Sequence, residues 1–215
     1  MELEDQADNP DKQLIRFEFI ELLVRIANDK YLRNDRIAGG ARAQTITEAF
    51  ELLIEENVPK GSRAAEWQGF RDNSLWCVDV NDVLEANLDL LRKVYKSYTS
   101  PVAHQMSLDG AIDLLANKAD NGMNDRDALY CYGMSKMTVV DENNDSKRYD
   151  SLVFVEFLEM VCRAANLKFS GSELESIALA RKVEHILDDI FAPFHLRRRG
   201  VRVEIAEETE SDSDY

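Results

Sequence analysis

Leu152-Val-Phe-Val-Glu-Phe-Leu-Glu-Met-Val-Cys-Arg-Ala-Ala-Asn166 is the stretch that decides the fold. Its apolar residues recur at helical spacing. It also has a near copy, Leu14-Ile-Arg-Phe-Glu-Phe-Ile-Glu-Leu-Leu-Val-Arg-Ile-Ala-Asn28, identical at seven of the fifteen positions. The shared residues are Leu14/Leu152, Glu18/Glu156, Phe19/Phe157, Glu21/Glu159, Arg25/Arg163, Ala27/Ala165 and Asn28/Asn166. Amphipathic helices share apolar spacing by chance, but they do not usually share Glu-Phe-x-Glu-x-x-x-Arg-x-Ala-Asn. Duplication is the expectation, with Phe19 and Phe157 as equivalent buried anchors. A weaker pair sets Ile46–Leu53 over Leu108–Leu115.

Outward from this stretch the helical period continues. Phe17, Ile20, Leu23, Val24 and Ala27 line one face of a first helix. Thr45 and Glu48 predict a capping box at the start of a second. Further helices are expected over 64–75, 81–98, 108–117, 125–137 and 155–167, and a long one over 172–191, opened by Ser172 with Glu175. No sustained period-2 alternation predicts a sheet. The class is all-α.

Leu152 to Leu158 resembles the second half of an EF-hand of the calmodulin superfamily. In that motif an apolar residue at loop position 8 enters a short strand, a glutamate at position 12 closes the calcium site, and a phenylalanine starts the exit helix. Leu152 and Glu156 match positions 8 and 12. In texture the chain is closest to degenerate EF-hand proteins of cilia and flagella. The resemblance implies helix–loop–helix pairs in two lobes. On this reading residues 1–62 form an N-terminal lobe whose first hand is incomplete. Residues 63–80 form a bridging helix, 81–168 a C-terminal lobe, 169–200 a C-terminal helix with a basic cluster, and 201–215 an acidic, disordered tail.

Counting ligands removes most of the expected calcium chemistry. With Glu156 at position 12, positions 1, 3, 5 and 6 are Asp145, Lys147, Tyr149 and Asp150. Lysine and tyrosine supply no carboxylate oxygen there. An alternative register makes Asp141, Asn143 and Asp145 the first ligands, with Glu156 four residues later than the standard spacing. That expanded loop is the one candidate calcium site; a polar, calcium-free loop is the expectation. The stretches before Glu18, Ile46 and Leu108 are poorer still in carboxylates at ligand positions. No cofactor is expected.

Composition bounds the remaining classes. The chain has 215 residues and a net charge of −15. Each end carries −5, so the body is only mildly acidic. A sequence pI near 4.6 argues against binding driven by nucleic-acid phosphates or an anionic membrane surface. No apolar run reaches the roughly 18 residues of a membrane span. The acidic N-terminus is unlike a signal peptide. Three widely spaced cysteines, Cys77, Cys131 and Cys162, indicate neither a disulfide framework nor a zinc site. Reduced thiols in a cytoplasmic protein are expected.

No nucleophile–base grouping, Gly-rich phosphate loop or HExxH occurs, and enzyme activity is not expected. His185 and Asp189 share a helix face, with an ordinary charged surface as the plain reading. Trp67, Phe70 and Trp76 are candidates for a partner-binding surface, and equally for a hydrophobic joint. Arg197, Arg198 and Arg199 form a short basic cluster before the tail. Val201–Ile205 with the acids after it faintly resembles a SUMO-interacting strand, and Ser211 and Ser213 resemble acidophilic kinase sites. The functional expectation is a calcium-independent scaffold or adaptor for a protein partner. The resemblance implies a ciliary axoneme or other cytoskeleton as its setting, with an axonemal or microtubule-associated partner. The alternative is a calcium sensor with one residual site around Asp141–Glu156.

Overall fold

The computed structural model describes residue 14 and residues 16–33, 42–58, 67–99 and 104–201. The chain divides into two compact units, residues 1–68 with 138–150, and residues 69–137 with 151–215. Most of the acidic tail, including Ser211 and Ser213, lies outside the described residues. No described helix is long and apolar enough to cross a membrane.

The first unit is built on α1 (Arg16–Ala27), which runs into a π turn over Asn28–Leu32, and α2 (Ile46–Asn57). The expected capping at Thr45 is present in part. Its hydroxyl accepts from the Glu48 N–H at 3.2 Å, while the Glu48 carboxylate reaches back to the Gln44 N–H at 2.8 Å. Ala27, Tyr31, Ala43, Ala49 and Leu53 are the buried cluster. The Tyr31 hydroxyl donates to Glu56 at 2.8 Å, and Arg42 reaches the same carboxylate at 2.5 Å. Hydrogen bonding from Arg42, then Tyr31, holds the Glu56 carboxyl below the usual carboxylate range.

The duplication does not extend to environment. Phe157 is fully buried, whereas Phe19 is 50% exposed. Phe17 and Ile20, expected to face inward, are also about half exposed. Among the described residues of this unit, five form the buried cluster beside α1, which is apolar on several sides. Identical residues therefore sit in unlike surroundings, and Phe19 and Phe157 are not equivalent anchors.

The second unit begins within α3 (Trp67–Phe70), which passes into a π turn over Arg71–Leu75. The single helix expected over 81–98 is two, α4 (Val78–Ala86) and α5 (Leu88–Ser97). The break falls at Asn87. Its buried amide donates to the Val83 carbonyl at 2.9 Å and exchanges hydrogen bonds with the Arg199 backbone at 2.7 and 3.1 Å. A side chain that bonds the preceding turn competes with the helical ladder.

Next come β1 (Met106–Ser107), α6 (Leu108–Ile112) continuing as a π turn over Asp113–Lys118, and α7 (Asp125–Ser135), opened by a capping box between Asn124 and Asp127. Within the first unit's 138–150 segment lie a short α8 (Glu142–Asp145) and a 3₁₀ turn. Back in the second unit, β2 (Ser151–Leu152) pairs antiparallel with β1, Met106 opposite Leu152 and Ser107 opposite Ser151. Two helix–loop–helix segments are thus joined loop to loop.

α9 (Phe154–Lys168) is the centre of this unit and packs against α7 and α10 (Leu179–Phe191). Met160 through Ala165 are all buried. Tyr95 of α5 stacks near Phe154 and Phe157, with ring centroids 5.2 and 5.3 Å away. α10 contributes Val183, Ile186, Leu187, Ile190 and Phe191. Each such side chain contributes about 1.5–3 kcal/mol when fully buried. α10 is shorter than expected, because Ser172 and Glu175 cap turns, not a helix: the Ser172 hydroxyl accepts from Leu174, and Glu175 from Gly171.

Candidate functional site

The second unit carries an open cleft of about 550 Å³. The turn after α3 supplies Leu75, Trp76 and Cys77, and α4 supplies Val78, Asn81 and Leu84. The opposite wall is Met137, just past α7, with Val155, Leu158 and Glu159 of α9. Trp76 is 64% exposed, Val78 73% and Val155 62%. So much exposed apolar surface in one concavity is the usual mark of a binding groove. The stretch from residue 72 to 91, which supplies one wall of the cleft, holds five carboxylates (Asp72, Asp79, Asp82, Glu85, Asp89) and no lysine or arginine.

Behind the α9 wall the carboxylate of Glu156 is saturated with donors. It accepts from the Lys136 ammonium at 2.8 Å, the Met137 N–H at 2.8 Å and the Val153 N–H at 2.9 Å. Lys136 also donates to the Ser151 carbonyl. The pair is buried, with 10% and 5% of the two side chains exposed. Lys136 ends α7 and Glu156 lies in the first turn of α9, where the helix dipoles favour those charges. The bonds fix Met137 against the start of α9 and so shape the groove wall. Tyr95, which bonds the Leu152 carbonyl at 2.8 Å, has its phenol pKa raised by burial and then by the Glu156 charge.

The remaining candidate residues fall as follows. Asp141 and Asp145 lie in the first unit. Asn144 bonds Asp141 at 2.8 Å, and Arg148 stands 4.0 Å from Asp145. Asn143 belongs to α8, but its side chain lies outside the described residues. No group of three His, Cys, Asp or Glu among the described residues is arranged to hold a metal ion. Trp67 opens α3, its side chain likewise outside the description. Phe70 is half-buried against the core, with the Arg163 guanidinium 4.6 Å above its ring. Trp76 lines the groove.

Arg197 is exposed. Arg198 pairs with Glu184 and Asp188, both at 3.2 Å, and Arg199 stands 3.8 Å from Asp89. Asp189 bonds Lys168, and the His185 ring lies against Phe169. Val78, Met137 and Val155 were not singled out from sequence. The one available signal was their apolar character at positions off the core stripe of each helix. No family model, curated protein or solved structure matches the chain.

Proposed function

We propose that this chain is a calcium-independent, EF-hand-like adaptor that holds an amphipathic helix of a partner protein in the groove of its second unit. The observation that carries this is the cleft itself, with exposed Trp76, Val78, Met137 and Val155, one wall of it supplied by the acid-rich stretch 72–91. An apolar groove takes the apolar face of a helix, and the acidic charge of the stretch 72–91 favours a basic flank. The EF-hand-like reading is supported by two helix–loop–helix segments joined through the Met106–Leu152 strand pair. Calcium independence is supported by the engagement of Glu156 with Lys136. The proposed partner is a cytoskeletal protein, axonemal or microtubule-associated, and this setting follows from the resemblance alone.

The test uses a fluorescently labelled amphipathic helical peptide with a leucine face and lysine flanks, without calcium. Binding in the micromolar range is expected. Trp76→Ala should weaken it about 30-fold, the factor for losing a 2 kcal/mol anchor, and added salt should weaken it further. If Trp76→Ala and Val155→Glu bind the peptide as well as the parent protein, the groove is not the site.

A further inference from the structure

A second cavity of the second unit, of about 350 Å³, lies between the turn that precedes α4 and the start of α10. The turn supplies Asn73 and Ser74, α9 supplies Asn166 near its end, and α10 supplies Leu179, Ala180 and Lys182. Lys182 is 5% exposed. Its ammonium donates to the Asn166 Oδ1 at 3.0 Å and to the Glu175 carbonyl at 2.7 Å, two neutral acceptors for three N–H donors. No carboxylate among the described residues pairs with it. The buried cations elsewhere in this unit are matched: Arg71 and Arg163 share Glu159, and Lys136 holds Glu156. The start of α10 adds to the positive field. Its N-cap, Ala178, makes no side-chain cap bond, and the first turn holds no acid. A helix start carries about half a positive charge, and its first N–H groups have no acceptor within the helix. Because an ammonium only donates, Lys182 engages Oδ1 of Asn166 and leaves the amide Nδ2 as a further donor.

We propose that this cavity binds a small phosphomonoester, its phosphate held by Lys182, Asn166 and the first N–H groups of α10. A buried charge is costly unless it is paired, and Lys182 is the described buried cation whose charge no side chain matches. The lysine and the helix start together present more than one positive charge, which suits a doubly charged phosphate better than a carboxylate or a halide. The donors agree with that choice, since the third ammonium N–H, the Asn166 amide and the backbone N–H groups all seek acceptor oxygens. Asp79 also lines the cavity, but it is exposed and stands in the first turn of α4, where it complements that helix's own start. The volume equals about a dozen waters at roughly 30 Å³ each. It therefore has room for a short polar group beyond the phosphate, with Asn73 and Ser74 as its hydrogen-bonding neighbours.

Calorimetric titration of the full chain with glycerol phosphate provides the test, at an ionic strength held constant with sodium chloride. Binding in the sub-millimolar range is expected, tighter than that of inorganic phosphate, with none by glycerol. Inorganic phosphate binding as tightly as glycerol phosphate would identify the free anion as the ligand of the same oxyanion site. Lys182→Met should weaken binding about 30-fold. It should leave the ligand-free melting temperature unchanged or higher, because replacing a buried charge by an apolar side chain of similar size is often neutral or stabilising. Asn166→Asp, which sets a carboxylate against the ammonium, should abolish binding and raise that temperature, and it decides the matter if the methionine variant does not fold. Asp79→Asn should tighten binding about threefold. The proposal is overturned if neither phosphate nor glycerol phosphate binds better than chloride, or if Lys182→Met and Asn166→Asp bind as tightly as the parent.

Discussion

Arg71 and Glu159 lie 88 residues apart in sequence and meet inside the second unit, the guanidinium Nε 2.9 Å from both carboxylate oxygens. Arg163, one turn further along α9, reaches the same carboxylate at 2.8 Å. All three side chains are about 95% buried. The contact ties the turn after α3 to the central helix and sets Glu159 into the floor of the groove. One carboxylate between two guanidinium groups is stable only while its charge is kept, because desolvated cations depend on it.

Glu159→Gln should therefore cost about 3–5 kcal/mol, the usual penalty for removing one partner of a buried ion pair. The corresponding pair in α1, Glu21 with Arg25, has the same four-residue spacing at 2.5 Å but is largely exposed. Glu21→Gln should change stability by less than about 0.5 kcal/mol. Urea denaturation of both variants checks the contrast, and equal effects would show that burial does not set the difference.

The two phenylalanines give a second contrast. Phe157 is fully buried among Tyr95 and Phe154, so Phe157→Ala should cost about 3–5 kcal/mol. Phe19 is half exposed, and Phe19→Ala should cost about 1 kcal/mol or less. A loss at Phe19 as large as that at Phe157 would mean that α1 is covered by something in solution.

Class and centre of the fold were legible because apolar spacing records them: α7, α9 and much of α10 lie where the period places them. Breaks were not legible. Asn87 interrupts a continuous apolar period through bonds to Arg199, a partner no local window contains. Ser172 with Glu175 has the signature of a cap, yet the chain there stays in turns. The copied residues of α1 and α9 illustrate the same limit, since burial depends on how much surface the rest of a unit provides. The groove was half legible. Trp76 stood out by type, while Met137 and Val155 acquire meaning only once α4 and α9 face each other.

Asn87 provides a prediction of its own. Its amide links the break in α4–α5 to the backbone of Arg199. Asn87→Ala would leave the part-buried Arg199 N–H and carbonyl without this partner and should cost about 1 kcal/mol. Hydrogen exchange should then rise at Arg199 more than at Met160, inside α9. Uniformly raised exchange would mean that Asn87 supports the whole unit and not this segment.

The three thiols should differ sharply in chemistry. Cys77 is exposed at the groove, while Cys131 and Cys162 are buried. Burial pushes the Cys131 thiol up to about 12 and raises that of Cys162 as well. Thiolate is the reactive form, so iodoacetamide at pH 8 should modify Cys77 alone in the native protein and all three after unfolding, as read by mass spectrometry. Rapid native labelling of Cys131 would contradict the packing of α7 on α9. The same raised pKa values make stability depend on alkaline pH. Below about pH 9 the thiols are protonated whether the chain is folded or not, and their contribution is fully present. Above it the unfolded chain releases protons that the native one retains, so stability falls by about 1.4 kcal/mol per pH unit for each buried thiol, until the folded pKa is reached. Tyr95 and Tyr98, also raised by burial, add a loss of the same sign. Comparing the parent with a Cys131→Ala, Cys162→Ala double variant cancels the tyrosines. Between pH 9 and 10.5 the variant's denaturation midpoint should fall less steeply than the parent's. Parallel slopes would show that the buried thiols ionise in the native state.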